Sequence, residues 1–318
     1  RFADSHYRAP LGNIEAREML PTPPTGLLGV ADDWAFFEVD GQTTLALSPD
    51  LSLEPLFDSG AFFRSPGLRP QLGRGLMFGW PLTSADAAVV IRQRDGRLEP
   101  ALRPNRNMRS FIPYFAFSGR DIAYPFLDGV RVESFSGERF DTRPFDQINW
   151  LAGTETQLAF IAAGQPWEAA WDLDGLRAVE GFRPDETCFA AFGVSGGFVY
   201  VCDLDDGSRR VVRSRDGRFA ETLTTNQIFA LDSAESLVAY AELPPGVGPG
   251  TGQDGRVIVR DFERDLTLEL GTVPDPILGG RISIPTELQV SGDYVLVKGE
   301  DQNLQPQARL YRVERQCQ

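Results

Sequence analysis

A tight polar turn followed by a few alternating apolar and polar residues recurs along this chain about every forty residues. It reads SPDLSLEPLF at 48–57, RDGRLEPAL at 94–102, FSGERFDTRPF at 135–145, LDGLRAVEGF at 173–182, RDGRFAETL at 215–223 and ERDLTLELG at 263–271. Alternation of this kind marks a half-buried strand. Three further apolar runs precede each one, as in CFAAFGVSG, GFVYVCDLDDG and SRRVVRSRDG before RFAETL. Asp-Gly and Ser-Gly pairs between the runs suit antiparallel hairpins, because both positions tolerate the backbone such turns need. Each unit is then a four-stranded antiparallel meander. A sheet of that size cannot bury its own faces, so neighbouring units must stack on one another.

The units fall at 26–57, 60–102, 111–145, 148–182, 187–223, 228–271 and 286–315. The last offers only three strands before the sequence ends at Gln318, whereas residues 13–20 have a fourth-strand character and follow a tail at 1–12. The expectation is an all-β single domain over 1–318: a seven-bladed β-propeller of four-stranded antiparallel blades, its ring closed by the N-terminal strand in the last blade. Radial stacking accounts for the even spacing and removes long exposed edges. A pair of β-sandwiches is the rival. It predicts a linker near the middle, and the strand pattern runs unbroken through 150–230.

Composition narrows the partners. Lys plus Arg total 31 against 45 Asp plus Glu, for a net charge of −14, and Lys298 is the sole lysine. Nucleic acid, which is bound through phosphate neutralisation, is a poor partner for such a chain, and no polybasic run addresses anionic lipid. No apolar run reaches the roughly 18 residues of a membrane-spanning helix. The single histidine, His6, lies in the tail. That removes triads with a histidine base and multi-histidine metal centres from one chain.

Three cysteines remain, and two of them, Cys188 and Cys202, lie symmetrically about the VSG turn of the fifth unit. Directly opposed residues on an antiparallel pair come within reach of a disulfide. The expected register is uncertain by one residue, since a two-residue turn would set Cys188 against Asp203. Two free buried thiols are the alternative. A bridge implies an oxidising compartment and leaves Cys317 over. The chain opens on Arg1 rather than methionine, which fits a removed leader and leaves a lipid anchor upstream of residue 1 open.

The stretch FVYVCDLDDGSRRVV at 198–212 resembles a repeat of the TolB-type propellers, in which an apolar strand runs into an Asp-rich turn and then a basic, apolar strand. The resemblance covers about one blade. SPD at 48–50 is similar to that family's Ser-Pro-Asp-Gly turn but lies after the third strand instead. The resemblance implies a propeller in a bacterial envelope setting and carries no catalytic residue across.

Candidate chemistry is sparse. DLDDG at 203–207 groups three aspartates, but the chain continues to Ser208 and Arg209 without the spaced ligands of a calcium loop, so it reads as a hairpin turn. Asp232 and Glu287 lie on innermost strands, where paired carboxylates could run a glycosidase or lyase reaction. Trp80 and Trp167 are read as loop residues between second and third strands, and Trp150 as the start of an innermost strand. Interblade packing competes with partner contact for each. The long segments 244–255, 273–285 and 300–307 break an economical repeat and should emerge on one face. The reading is a non-catalytic protein-binding or scaffold propeller, periplasmic, outer-membrane-associated or extracellular. Its contact face is marked by Trp80, Trp167, Asp254, Glu300 and Asp301. A propeller hydrolase or lyase with a carboxylate or calcium site in the channel is the alternative, and a carbohydrate-binding lectin the third reading. No cofactor is expected, with calcium as the one cation left open.

Overall fold

In a computed structural model of the protein the described chain is all-β. Side chains are described at 116–275, 287–299 and 308–313, apart from 119, 135 and 206; elsewhere the structure describes the backbone of strands only. Among the described residues no helix is long and apolar enough to cross a membrane, a statement that does not bear on strands.

Six four-stranded antiparallel sheets follow one another along the chain. The first is Leu27–Ala31, Trp34–Val39, Thr43–Leu47 and Leu53–Asp58. The second is Gln71–Gly73, Leu76–Gly79, Val89–Arg94 and Arg97–Leu102. The third is Ala116–Phe117, Asp121–Phe126, Gly129–Ser134 and Arg139–Asp141. The fourth is Ile148–Gly153, Gln157–Ala162, Gln165–Ala170 and Arg177–Ala178. The fifth is Glu186–Val194, Gly197–Leu204, Arg209–Arg215 and Arg218–Thr224. The sixth is Ile228–Ala234, Leu237–Glu242, Gly255–Asp261 and Leu266–Val273.

A further sheet orders Glu287–Ser291, Tyr294–Glu300, Pro306–Arg315, Ile14–Glu18 and Ser5–Arg8 as neighbours. Ile14–Glu18 pairs antiparallel with the last strand, Ile14 opposite Arg315 and Glu18 opposite Tyr311. Ser5–Arg8, read from sequence as tail, is a fifth strand that pairs with Glu15 to Glu18 and covers what would otherwise be the outer edge of the N-terminal strand. The segment 273–285, read as one long loop, holds a small hairpin in which Ile277 faces Ile282.

The chain divides into two compact units, Ala61–Thr225 and the pair Arg1–Gly60 with Asn226–Gln318. Within the first, the opening strands of the third, fourth and fifth sheets lie side by side. They approach closely enough to require glycine: a Cβ on Gly193 would lie 2.2 Å from the Gly153 carbonyl oxygen, and one on Gly153 would meet the Phe117 carbonyl oxygen at 2.7 Å. In the second unit the opening strands at 228–234, 287–291 and 27–31 are neighbours in the same way.

Burial follows strand position. The second strand Leu237–Glu242 is buried at every residue, because both faces of the sheet are covered, and the second strands read as mostly apolar runs. Outermost strands alternate, as in Leu266–Val273. Leu158, Phe160 and Trp171 of the fourth sheet pack with Ala123, Val130 and Val132 of the third. Ala159 and Ile161 turn the other way, onto Phe198, Tyr200 and Val212 of the fifth.

Candidate functional site

The first strand of the sixth sheet carries Asp232, and the first strand of the neighbouring sheet at 287–291 lies against it. Asp232 Oδ2 accepts the backbone N–H of Val290 at 2.7 Å, so a side chain ties two sheets together. Burial pushes the Asp232 carboxyl up to about 7; the Val290 and Ser233 amides oppose that rise, and the negative charge of Glu287 adds to it. Glu287 in turn accepts a hydrogen bond from Gln289 Nε2 at 2.8 Å and pairs with Lys298 at 3.7 Å. Lys298 stands directly opposite Glu287 in the ladder, so strand pairing makes this contact. The two carboxyls singled out from sequence therefore lie within electrostatic reach of each other. A carboxyl titrating near neutrality beside a second one is an arrangement able to give or take a proton.

The long segment at 244–254 is built rather than loose. Its root, Gly255, stands opposite Val273 in the sixth sheet, so this loop and the chain after Val273 leave from adjacent points. Asp275, fully buried, accepts the backbone N–H of Gly250 with both oxygens at 2.9 Å and that of Gly252 with Oδ2 at 2.8 Å. Gly246, Gly250 and Gly252 take φ of 74°, 86° and 76°, where a side chain would be strained. Asp275 escaped the reading of the sequence. Only the strand register, which sets 255 against 273, brings the two segments together.

Other candidates are placed as follows. Trp167 is not in a loop: the turn is Ala163-Gly164, and Trp167 is the third residue of Gln165–Ala170. Its ring is stacked with Phe160 at 6.5 Å and meets Phe145 edge-on at 5.0 Å, while the Arg143 guanidinium lies 5.4 Å from its centre. Trp150 lies within its strand rather than at its start, donates Nε1–H to the Ala191 carbonyl at 2.6 Å, and packs on Phe192. Asp254 is half-buried just before Gly255, and Glu300 ends the strand Tyr294–Glu300. Trp80 and Asp301 lie outside the described residues, as does the Glu300 side chain. DLDDG forms the second hairpin of the fifth sheet, with Gly207 at φ 79° and Asp203 paired to Arg209 at 2.7 Å.

Cys188 and Cys202 are joined by a disulfide. With Glu186 they form a compact group of would-be metal ligands, but sulfurs bonded to each other supply no thiolate. Glu186 forms an ion pair with buried Arg210.

Consecutive meander sheets meeting along their first strands are the building plan of a β-propeller, and comparison with solved structures gives the same fold. No family model and no curated protein sequence matches the chain. An oligogalacturonate lyase in complex with manganese is 12% identical over 98% of this chain and 96% of its own, with a TM-score of 0.57. Hsv2 of Kluyveromyces lactis is 9% identical over 91% of this chain and 98% of its own, at 0.50. The WD40 domain of Neurospora crassa Pan2 is 9% identical over 93% and 92%, also at 0.50. At such identities the likeness is one of fold.

Proposed function

We propose that this chain is a non-catalytic, protein-binding propeller of a secreted or envelope-located complex. In this reading the six four-stranded sheets and the sheet completed by Ile14–Glu18 are the seven blades of a ring closed by that N-terminal strand. The observation that carries it is the loop at 244–254, an interruption of a spare repeat that the chain orders with a dedicated buried carboxylate, Asp275. Long loops on a rigid scaffold are where binding residues concentrate. Asp254, next to the root of this loop at Gly255, belongs to the proposed contact surface. The acidic balance of the chain suits a partner presenting arginine or lysine, with association weakening as salt rises. The disulfide and the resemblance of 198–212 to TolB-type repeats support a periplasmic, outer-membrane-associated or extracellular location. No cofactor enters this reading.

The test is recovery of partners from the native envelope with full-length protein and with a variant in which 246–253 is shortened to a tight turn. Asp275→Ser accompanies the deletion, since otherwise a buried charge loses its amides. Unchanged recovery with unchanged melting removes this loop from the interface.

One observation favours a second reading. Asp232, pushed up to about 7, lies beside Glu287 on the innermost strands, which suits acid–base chemistry in a propeller hydrolase or lyase. Turnover of uronate-containing oligosaccharides that disappears in Asp232→Asn and Glu287→Gln tests it; turnover by neither wild type nor variant ends it.

A further inference from the structure

We infer that 244–254 and the chain around Asp275 form one pre-ordered element, and that Asp275 is the positioning residue that clips it shut before any partner arrives. The functional meaning of this clip rests on the proposed binding face; its existence does not.

The argument begins with conformational entropy. The segment PPGVGPGTGQDG carries five glycines, and ordering a glycine costs more backbone entropy than ordering any other residue. A loop left free in the unbound protein would charge that cost to every binding event. Here the free chain already meets it. Val247 donates its N–H to the Pro244 carbonyl at 3.0 Å, and Thr251 Oγ1 donates to the Gly248 carbonyl at 3.1 Å, so the loop has two internal turns. These are weak ties on their own. The strong one is Asp275, whose carboxylate gathers the amides of Gly250 and Gly252 with charge-assisted hydrogen bonds.

Burial makes the clip all-or-none. Asp275 has no exposed surface while the loop is seated, and lifting the loop withdraws the Gly250 and Gly252 amides from a carboxylate. The roots are fixed as well. Gly255 packs against Phe229 so closely that a Cβ there would lie 2.7 Å from the ring, and Leu243 donates its N–H to the Gln227 carbonyl at 2.9 Å. The segment is thus anchored at both ends and once in the middle, with Gly246, Gly250 and Gly252 held at positive φ, where a side chain is strained. Such a loop offers a partner a finished surface.

Amide hydrogen exchange on the full-length protein decides the matter without knowledge of a partner. In the wild type, Gly250 and Gly252 should exchange roughly tenfold to a hundredfold more slowly than in Asp275→Ala, as expected for losing hydrogen bonds to a charged group. Val257 and Val259 in the adjacent strand should stay protected in both. Asp275→Asn, which keeps an acceptor but not the charge, should fall between them and covers the case in which the alanine variant fails to fold. Exchange at Gly250 and Gly252 as fast as in an unstructured peptide, or protection unchanged in both variants, overturns the clip. Loss of protection at Val257 and Val259 in Asp275→Asn also overturns it, because Asp275 would then support the sheet and not the loop. Partner recovery fails or succeeds separately. A protected loop that captures nothing leaves the clip standing and defeats the binding reading.

Discussion

Cys188 stands directly opposite Cys202 because one residue, Phe189, is bulged out of the strand between Cys188 and Ala190. The Ser195-Gly196 turn sets Val194 against Gly197, and regular pairing runs back from there to Ala190 against Val201. Continued without interruption, that ladder would put Phe189 opposite Cys202 and Cys188 opposite Asp203. The extra residue shifts the register by one and turns the Cys188 sulfur to the face that Cys202 shares with Phe198 and Tyr200, in the core shared with the fourth sheet. Phe189 is left 37% exposed, with the Arg209 guanidinium 4.7 Å from its ring centre.

Denatured, unreduced protein should accordingly take up alkylating agent at one of its three cysteines, and at all three after reduction. Intact mass reads the difference. Replacing both Cys188 and Cys202 with alanine should cost about 3 kcal/mol in urea unfolding, the value expected for a closed loop of about 15 residues. Deleting Phe189 removes only the bulge and should leave the bridge in place. Loss of the disulfide in that deletion contradicts the register argued above.

The fourth and fifth sheets are also joined by a buried polar contact. Glu168 Oε1 accepts from the Tyr200 hydroxyl at 2.9 Å and from Ser214 Oγ at 2.5 Å, with all three residues buried. Burial first, and then the Glu168 charge, push the Tyr200 phenol well above its ordinary value, which favours the protonated hydroxyl that donates to Glu168. Glu168→Ala leaves the buried Tyr200 hydroxyl without its acceptor and Ser214 Oγ with only a long bond to the Phe198 carbonyl at 3.4 Å, and should cost about 3 kcal/mol. Glu168→Leu combined with Tyr200→Phe should cost less than the sum of the single changes, by urea unfolding in a double-mutant cycle. Additive losses show that the two residues do not act as a pair.

What the sequence discloses and what it hides divide along one line. Contacts between residues close in the chain are legible: hairpin turns such as Asp216-Gly217, and the apolar second strands. The N-terminal strand was also legible, because the last unit lacked a fourth run of its own. Contacts that depend on exact register between distant segments are not. Asp275 reaches Gly250 and Gly252 only through the pairing of Gly255 with Val273, and no spacing in the sequence announces it. Trp167 follows a Gln-Pro that reads as loop, yet Ala163-Gly164 already makes the turn. Ser5–Arg8 is too short to stand out, and its strand character comes from an edge that needed covering.

That edge supplies a test. A chain beginning at Pro21 lacks both Ser5–Arg8 and Ile14–Glu18, exposing the edge of the last strand at Tyr311 to Arg315 to water and to other chains. Its thermal unfolding should lose cooperativity and its solubility should fall. A melting curve like that of the full chain would show that the strand pairing contributes little.

Leu127 marks a different kind of cost. It occupies the hairpin between Asp121–Phe126 and Gly129–Ser134 at φ 53°, a conformation that disfavours branched side chains, and it is 60% exposed. Little burial offsets the strain. Leu127→Gly should therefore raise stability by about 1 kcal/mol, while an ordinary surface leucine-to-glycine change would lower it. Urea unfolding measures the sign. A lower midpoint in the variant means that the leucine side chain packs on something worth more than the strain.

Asp232 makes the stability of the sixth sheet depend on pH in a direction unusual for a carboxylate. Its carboxyl is pushed from 3.8 up to about 7 in the folded chain, chiefly by burial. The folded state therefore holds a proton over the interval in which the unfolded state has released it. Stability from this group is complete below pH 3.8, declines between that value and about 7, and is gone above it. Asp141 behaves in the opposite sense. The Arg131 guanidinium, bonded to it through both oxygens, holds its carboxyl down, so its contribution is lost only as pH falls below the ordinary carboxylate range. Asp232 faces Glu287, which Lys298 and Gln289 engage from the same sheet, and it keeps the amides of Val290 and Ser233. Asp232→Asn retains an acceptor for Val290 and carries no charge to bury. The variant should gain midpoint in urea at pH 8, gain little at pH 4, and show a flatter profile between them. A variant that loses as much at pH 8 as at pH 4 would mean that the Asp232 carboxylate is stabilising when ionised, and that burial does not govern its proton.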